Sequence, residues 1–124
     1  MKTIVVLATV LAVALAAPAD TYDTKYDDFD VASIVNNIRL MKSYMNCFLD
    51  KGPCTPEGTD FKKKMGEALQ TDCAKCTPKQ RQLIRTMSRG FQTELPEQWE
   101  LLIQKVDPKG EFKETFEKFL QATD

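Results

Sequence analysis

Apolar side chains recur at the spacing of an amphipathic α-helix along most of the chain after residue 30. The segment VASIVNNI starts at Val31 and places apolar residues at i, i+3, i+4 and i+7, and WELLIQKV repeats that spacing from Trp99. One face of each segment is therefore apolar if the segment is helical. No stretch alternates apolar and polar residues as a half-buried strand would. The sequence predicts an all-α fold.

Start and stop signals divide this pattern into six short helices. A threonine followed by a proline favours a helix start, since the hydroxyl caps the first turn and proline suits its first position. Thr55-Pro56 and Thr77-Pro78 have this form, and Gln80 completes a capping box in the second of them. Gly90 is predicted to weaken the second half of the fourth helix. The other boundaries are predicted at Asp30 (first helix), 51–53 (end of the second), Pro96 (fifth) and 107–110 (turn before the sixth).

The first sixteen residues have the features of a secretory signal peptide. Lys2 supplies the positive charge, residues 3–14 are almost continuously apolar, and Ala14-Leu15-Ala16 is a small-x-small cleavage site, with residue 19 as the latest alternative. The apolar run is too short to span a bilayer. We therefore expect a mature, soluble extracellular chain of residues 17–124 that forms one domain.

Charge and composition exclude several function classes. The chain has 17 basic and 18 acidic residues, a balance that predicts binding neither to nucleic acid nor to an anionic membrane. No apolar run after the signal peptide approaches spanning length, so we expect no stable membrane insertion. Residues 62–64 are three consecutive lysines, interpreted as a solvated helix face. No histidine is present to act as a general base or metal ligand, and no glycine-rich phosphate loop occurs. We expect a monomer that is not an enzyme and needs no cofactor or metal.

Four cysteines, Cys47, Cys54, Cys73 and Cys76, lie in the mature region and predict a disulfide framework. Each neighbouring pair lies on either side of a predicted turn between helices, but composition allows three pairings. The C-x-x-C at 73–76 is not typical of a redox site, because no strand precedes it and its first cysteine ends a helix. A zinc site would need reduced thiolates, and the six-residue spacing of the first pair is loose for one.

Several motifs together resemble the insect chemosensory proteins, also called the pheromone-binding OS-D-like family. They are the spacing C-x6-C-x18-C-x2-C and the segments YDTKYDDFD, NNIRLMKSYMNCFLDKGPCTPEG, TDCAKCTPKQ and PEQWELLIQKVDPKGEF. The resemblance covers residues 20 to about 120. One departure is Val106, where the family usually has tyrosine.

The resemblance implies a compact array of six helices around an apolar channel, with Cys47 joined to Cys54 and Cys73 joined to Cys76. It implies a carrier of sensillum lymph or haemolymph that reversibly binds small hydrophobic ligands, such as long-chain fatty acids, alcohols, esters and pheromone-like compounds. The alternative is a secreted developmental or signalling protein that acts through a protein partner.

The resemblance also suggests ligand-binding residues. Tyr26 matches a tyrosine near the channel mouth, Tyr44 and Gln80 match positions that can contact a polar head group, Trp99 matches the family tryptophan, and Phe112 matches a frequent aromatic position. Apolar residues at helical spacing belong to the core by default, because burial alone explains them. Those that we expect to contact a ligand as well are Ile34, Met41, Met45, Leu69, Ile84, Met87 and Ile103.

Overall fold

The computed structural model describes residues 21–123, and the predicted signal peptide, residues 1–16, lies outside them. The described residues form six α-helices and no strand, so the predicted all-α fold is confirmed. No helix in this part of the chain is both long and apolar enough to cross a membrane. The helices are α1 Val31–Val35, α2 Ile38–Phe48, α3 Pro56–Thr71, α4 Pro78–Glu94, α5 Pro96–Val106 and α6 Lys113–Gln121.

The predicted starts of α3 and α4 are confirmed. The Thr55 hydroxyl accepts a hydrogen bond from the Gly58 amide at 3.0 Å. At α4, the Thr77 hydroxyl accepts from the Gln80 amide at 3.2 Å, and the Gln80 side-chain oxygen accepts from the Thr77 amide at 3.0 Å. These bonds satisfy amides that the first turn of a helix leaves without partners.

The predicted first helix was too long. It was expected to run from Val31 through Ile38, but α1 ends at Val35 and a new helix begins at Ile38. Asn37 has extended backbone angles and its side chain accepts hydrogen bonds from the two amides that follow Ile38. Such local bonds compete with helix continuation. As a result Ile38 is 45% exposed instead of lying on a buried face.

Gly90 does not interrupt α4, which continues to Glu94. A Cβ atom at position 90 would lie 2.7 Å from Val35 Cγ1 and 3.2 Å from Met41 Cε. The glycine therefore permits the close approach of α1 and α2 to α4. Tertiary packing thus accommodates a residue with a helix-propensity cost of about 1 kcal/mol, and the predicted weakening of the second half of α4 stays a prediction.

A row of aromatic rings crosses the core and is called the aromatic row below. Successive ring centroids lie between 5.7 and 6.4 Å apart, within the range of favourable aromatic pairs. Met41, Met45 and Met87 are buried in the same core. Rings and methionines thus fill the interior where the resemblance implied a channel. The row consists, in order, of Phe29, Phe61, Phe48, Phe91, Trp99 and Phe116.

Both disulfides join neighbouring cysteines. Cys47 is bonded to Cys54 across the α2–α3 turn, with Cα atoms 5.0 Å apart, and Cys73 is bonded to Cys76 across the α3–α4 turn, with Cα atoms 5.2 Å apart. The pairing that the resemblance implied is therefore present. Each bond fixes where one helix ends relative to the start of the next.

Two arginines of α4 hold the C-terminal helix, a contact that the sequence patterns did not predict. Arg85 is 4% exposed, and its Nε donates to the Phe119 carbonyl at 2.7 Å. Arg89 donates to the Leu120 carbonyl. Carbonyls in the last turn of a helix lack partners within the helix, so basic side chains stabilise them. These bonds place α6 against α4.

Candidate functional site

Two clefts lie at the two ends of the aromatic row. The arm cleft is bordered by Phe29 and Phe61, and the α5–α6 cleft by Trp99 and Phe116. The residues between these ends belong to the buried core. Each cleft therefore marks a place where the aromatic row reaches space that is not filled by protein.

The α5–α6 cleft encloses about 130 Å³. Its apolar wall combines Leu69 of α3 with Trp99 and Ile103 of α5 and with two residues of α6, Phe116 and Leu120. This wall brings residues from three helices to one place, so it exists only in the folded chain. Gly110 and five polar residues complete the lining; the polar residues are Gln92, Glu100, Asp107, Lys113 and Glu117.

Asp107 fixes the entry into α6 beside this cleft. It is 5% exposed, and its carboxylate oxygens accept hydrogen bonds from the amides of Glu111 at 2.9 Å and Phe112 at 3.1 Å. The turn that was predicted at 107–110 therefore depends on a buried carboxylate. Phe112 is half-buried against the core and precedes the first residue of α6.

The arm cleft is much smaller, with about 10 Å³ of space, and lies between the N-terminal arm, α3 and α4. The N-terminal arm comprises residues 21–30. The cleft has an apolar side and a polar side. The apolar side is Phe29, Phe61, Leu83 and Ile84, and the polar side is Tyr26, Asp27, Asp60, Lys64 and Gln80.

Gln80 holds the arm in place. Its side-chain nitrogen donates to the Asp23 carbonyl at 3.1 Å and to an Asp27 carboxylate oxygen at 2.9 Å, while its side-chain oxygen serves the capping box. Both N–H donors of the amide are thus used within the protein. A residue predicted to contact a ligand head group is here a tether between α4 and the arm.

The lysine run does not form a uniformly solvated face as interpreted from the sequence. Lys63 is exposed, whereas Lys64 is only 5% exposed. The Lys64 ammonium donates to an Asp60 carboxylate oxygen at 2.5 Å and lies 5.6 Å from the centre of the Tyr22 ring. Lys64 follows Phe61 by three positions and so shares its buried helix face. That spacing was the sequence signal for its burial.

The predicted ligand residues divide among three locations. Leu69, Trp99 and Ile103 line the α5–α6 cleft. Tyr26, Gln80 and Ile84 line the arm cleft. The remaining six lie in or against the core and line neither cleft: Ile34, Met41, Met45 and Met87 are buried, and Tyr44 and Phe112 are half-buried.

Five apolar cleft residues were not predicted as ligand contacts: Phe29, Phe61, Leu83, Phe116 and Leu120. The four that lie on helices have the helical spacing of core residues, which does not distinguish a packed position from one beside a cavity. Phe29 belongs to the arm, where no helical pattern applies. Residues 21–123 contain no group of three or more side chains able to hold a metal ion.

Comparison with known proteins agrees with this architecture. The profile of the insect pheromone-binding family A10/OS-D matches residues 22–114. The chain is 38% identical to the allergen Tha p 1 of Thaumetopoea pityocampa over 98% of this chain and 97% of the relative. It is 44% identical to ejaculatory bulb-specific protein 3 of Drosophila melanogaster over 87% of this chain and 85% of the relative.

A solved chemosensory protein in complex with bromo-dodecanol has the same fold. It superposes with a TM-score of 0.70 at 32% identity, covering 79% of this chain and 98% of that one. The family profile, the relatives and the solved structure all indicate one family. The chain belongs to the insect pheromone-binding A10/OS-D family of chemosensory proteins.

Proposed function

We propose that this protein is a secreted carrier that reversibly binds long-chain alcohols, esters, fatty acids and similar hydrophobic compounds. The observation that carries the proposal is the apolar wall of the α5–α6 cleft, at one end of a core filled by aromatic rings and methionines. The related chemosensory protein in complex with bromo-dodecanol supports it, because that ligand is an alkyl chain with one polar end. We propose no enzymatic activity.

The volume of the α5–α6 cleft limits what can bind without rearrangement. The cleft volume of about 130 Å³ is similar to that of an engineered apolar cavity that holds benzene, about 150 Å³. It is less than half the volume of most ligand pockets, which is about 300 Å³ or more. The cleft as described therefore has room for about one ring or a short alkyl segment. A longer chain has to displace core side chains.

The methionines make such displacement feasible. Met41, Met45 and Met87 are unbranched and adopt many shapes at low cost, whereas the aromatic rings are rigid. We propose that a long chain enters at Leu69, Trp99 and Ile103 and extends along the aromatic row. The proposed apolar contacts deeper in the core are then Ile34, Met41, Met45, Ile84 and Met87. The other proposed contacts are Tyr26, Tyr44, Gln80 and Phe112.

Affinity follows from burial of the alkyl chain. Each methylene removed from water contributes about 0.8 kcal/mol, and ordering the ligand and shifting side chains reduce the total. A chain of about twelve carbons is expected to bind with micromolar affinity.

The first test is a titration of the purified, oxidised protein with a fluorescent apolar probe. Alcohols, esters and acids of graded length would then compete, with Trp99 emission followed in parallel because that ring borders the cleft. We expect saturable one-site binding with an optimum in chain length. A folded, helical protein that binds none of these compounds would contradict the carrier function and favour the protein-partner alternative.

A pair of substitutions on α5 locates the site. Ile103 lines the α5–α6 cleft, whereas Leu101 on the same helix is 48% exposed. Ile103→Phe fills part of the cavity, so it should weaken binding of a twelve-carbon alcohol by about tenfold. Leu101→Phe adds the same ring outside the cleft and should leave the affinity unchanged. Equal affinities in the two variants would place the site elsewhere.

Secretion is proposed from the predicted signal peptide, residues 1–16. Expression of the full chain in insect cells should release a protein into the medium. Mass spectrometry of that product should give a mature chain that begins at Ala17. A retained full-length chain would contradict the proposal.

A further inference from the structure

The polar side of the arm cleft contains an ion pair between a buried lysine and a partly exposed aspartate. Lys64 and Asp60 lie one turn apart on α3, and their side chains are 7% and 29% exposed. Asp60 is the hydrogen-bond acceptor that the described residues provide for the Lys64 ammonium. An ammonium has three N–H donors, so this arrangement can donate further hydrogen bonds to a ligand oxygen.

The charges around this ammonium favour a neutral ligand group. Asp60 already balances Lys64, and Asp27, hydrogen-bonded to Gln80, adds a second carboxylate to the lining. A carboxylate ligand would bring a third negative charge close to these two carboxylates, and like charges repel. A hydroxyl or ester oxygen accepts the same hydrogen bond without adding charge.

The apolar side of the cleft is suited to the start of an alkyl chain. Phe29 and Phe61 face this space together with Leu83 and Ile84, and both rings belong to the aromatic row. A head group held at Lys64 would therefore have its first methylenes against the row that leads to the α5–α6 cleft.

We propose that the arm cleft is a head-group site in which Lys64 donates to an uncharged oxygen and Asp60 acts as a specificity residue that disfavours carboxylates. The inference rests on the proposed carrier function. It predicts selection of long-chain alcohols and esters over fatty acids of equal length. Asp60 acts through Lys64, so its removal should change selectivity more than overall affinity.

The experiment compares 1-dodecanol with dodecanoate at pH 8, where the acid is ionised. The wild-type protein should bind dodecanol about tenfold more tightly. Asp60→Asn frees the ammonium, so dodecanoate affinity should rise about tenfold while dodecanol affinity stays within about twofold. Asp28→Asn makes the same change in net charge at an exposed arm residue outside the cleft lining, and should leave the ratio of the two affinities as in wild type.

A second pair of variants tests Lys64 itself. Lys64→Met should weaken dodecanol binding about fivefold while leaving the affinity for the apolar fluorescent probe unchanged, because the probe needs no donor. Lys63→Met, an exposed neighbour, should change neither. This pair decides the question if Asp60→Asn does not fold.

The outcomes separate the two proposals. If both ligands bind and Asp60→Asn leaves the ratio of their affinities unchanged, the head-group site alone is overturned. The same conclusion follows if Asp28→Asn changes that ratio as much as Asp60→Asn does. Loss of probe and dodecanol binding together in Lys64→Met would also overturn it, since that indicates a general packing defect. Failure of every ligand to bind the folded wild-type protein would overturn the carrier function and this site with it.

Discussion

Gly90 and Gly66 are both glycines inside helices, and their surroundings differ. Gly90 in α4 is closely approached by Val35 and Met41, whereas no atom beyond the chain neighbours and the local backbone of α3 lies within 4 Å of the Cβ position at Gly66. A glycine in a helix interior costs about 1 kcal/mol relative to alanine. At position 90 the close helix contact offsets that cost. At position 66 no neighbouring group requires a glycine.

Alanine at these two positions should have opposite effects. Gly66→Ala should raise the free energy of unfolding by about 0.5–1 kcal/mol. Gly90→Ala should lower it by about 1 kcal/mol, because overpacking of 1–3 kcal/mol exceeds the gain in helix propensity. Urea denaturation followed by circular dichroism measures both. A Gly90→Ala protein as stable as Gly66→Ala would contradict the close packing of α1 and α2 on α4.

At the scale of elements, side chains of α4 attach both the N-terminal arm and the C-terminal helix α6. Gln80 bonds the arm, and Arg85 and Arg89 bond the C-terminal carbonyls of α6. Neither attachment is local in sequence: Gln80 and Asp27 are 53 residues apart, and Arg85 and Phe119 are 34 apart. Helix α4 therefore positions elements that border each of the two clefts.

Gln80→Glu separates the two roles of this residue. A glutamate can still accept the Thr77 amide in the capping box, but it cannot donate to Asp23 or Asp27. The arm should detach while α4 stays capped. We expect faster amide hydrogen exchange at Phe29, and a loss of about 1–2 kcal/mol in the free energy of unfolding.

The matched control is Gln82→Glu, which introduces the same charge at an exposed position of α4. It should leave exchange in the arm as in wild type. Unchanged exchange at Phe29 in Gln80→Glu would show that contacts other than this amide hold the arm.

Arg85→Met tests the attachment of α6. The substitution keeps much of the buried volume but leaves the Phe119 carbonyl without its 2.7 Å donor, so the free energy of unfolding should fall by about 2–3 kcal/mol. Trp99 emission should change as well, because Phe116 of α6 is 6.1 Å from its ring. Arg39→Met, at an exposed position of α2, is the control and should have an effect below about 0.5 kcal/mol.

At the scale of the whole molecule, Asp50 connects three parts of the fold. It lies in the α2–α3 turn with φ of 60°, and its carboxylate accepts hydrogen bonds from Lys105 of α5, at 2.8 Å, and from Lys62 of α3. The hydrogen bonds from these two ammonium groups lower the pKa of Asp50 to about 2, and the bond from Lys105 has the larger effect. The ion pairs therefore link the turn to both helices.

This shifted pKa predicts a dependence of stability on pH. Because the pKa is lower in the folded state than the ordinary value of 3.8, the pairs stabilise the fold above about pH 4, and that contribution is lost as the pH falls from 4 to 2. Asp50→Asn has no carboxyl to protonate, so it should lose less stability over that range than wild type. Asparagine also tolerates the positive φ at this position. Salt at 1 M should reduce the difference between the two proteins. Parallel losses in the two proteins would contradict the role of Asp50.

The α-helical class, the capped starts of α3 and α4 and the buried faces of the helices were predictable from the sequence. These features depend on residues within one or two turns of each other, so local patterns specify them. The same locality explains the error at residues 36–37. Two adjacent asparagines can cap a new helix, but apolar spacing alone suggested that α1 continues through Ile38.

Tertiary structure alone decided where the unfilled space lies and which side chains border it. Leu69, Trp99 and Leu120 meet at one cleft because three helices pack there, and apolar periodicity is the same for a residue beside a cavity as for one in solid core. The burial of Lys64 beside Asp60, the tether from Gln80 to the arm and the space spared by Gly90 likewise depend on neighbours distant in sequence. The sequence by itself determined the helices and the identity of their buried faces. The packing of those faces determined the site, since a cavity is a property of several elements at once.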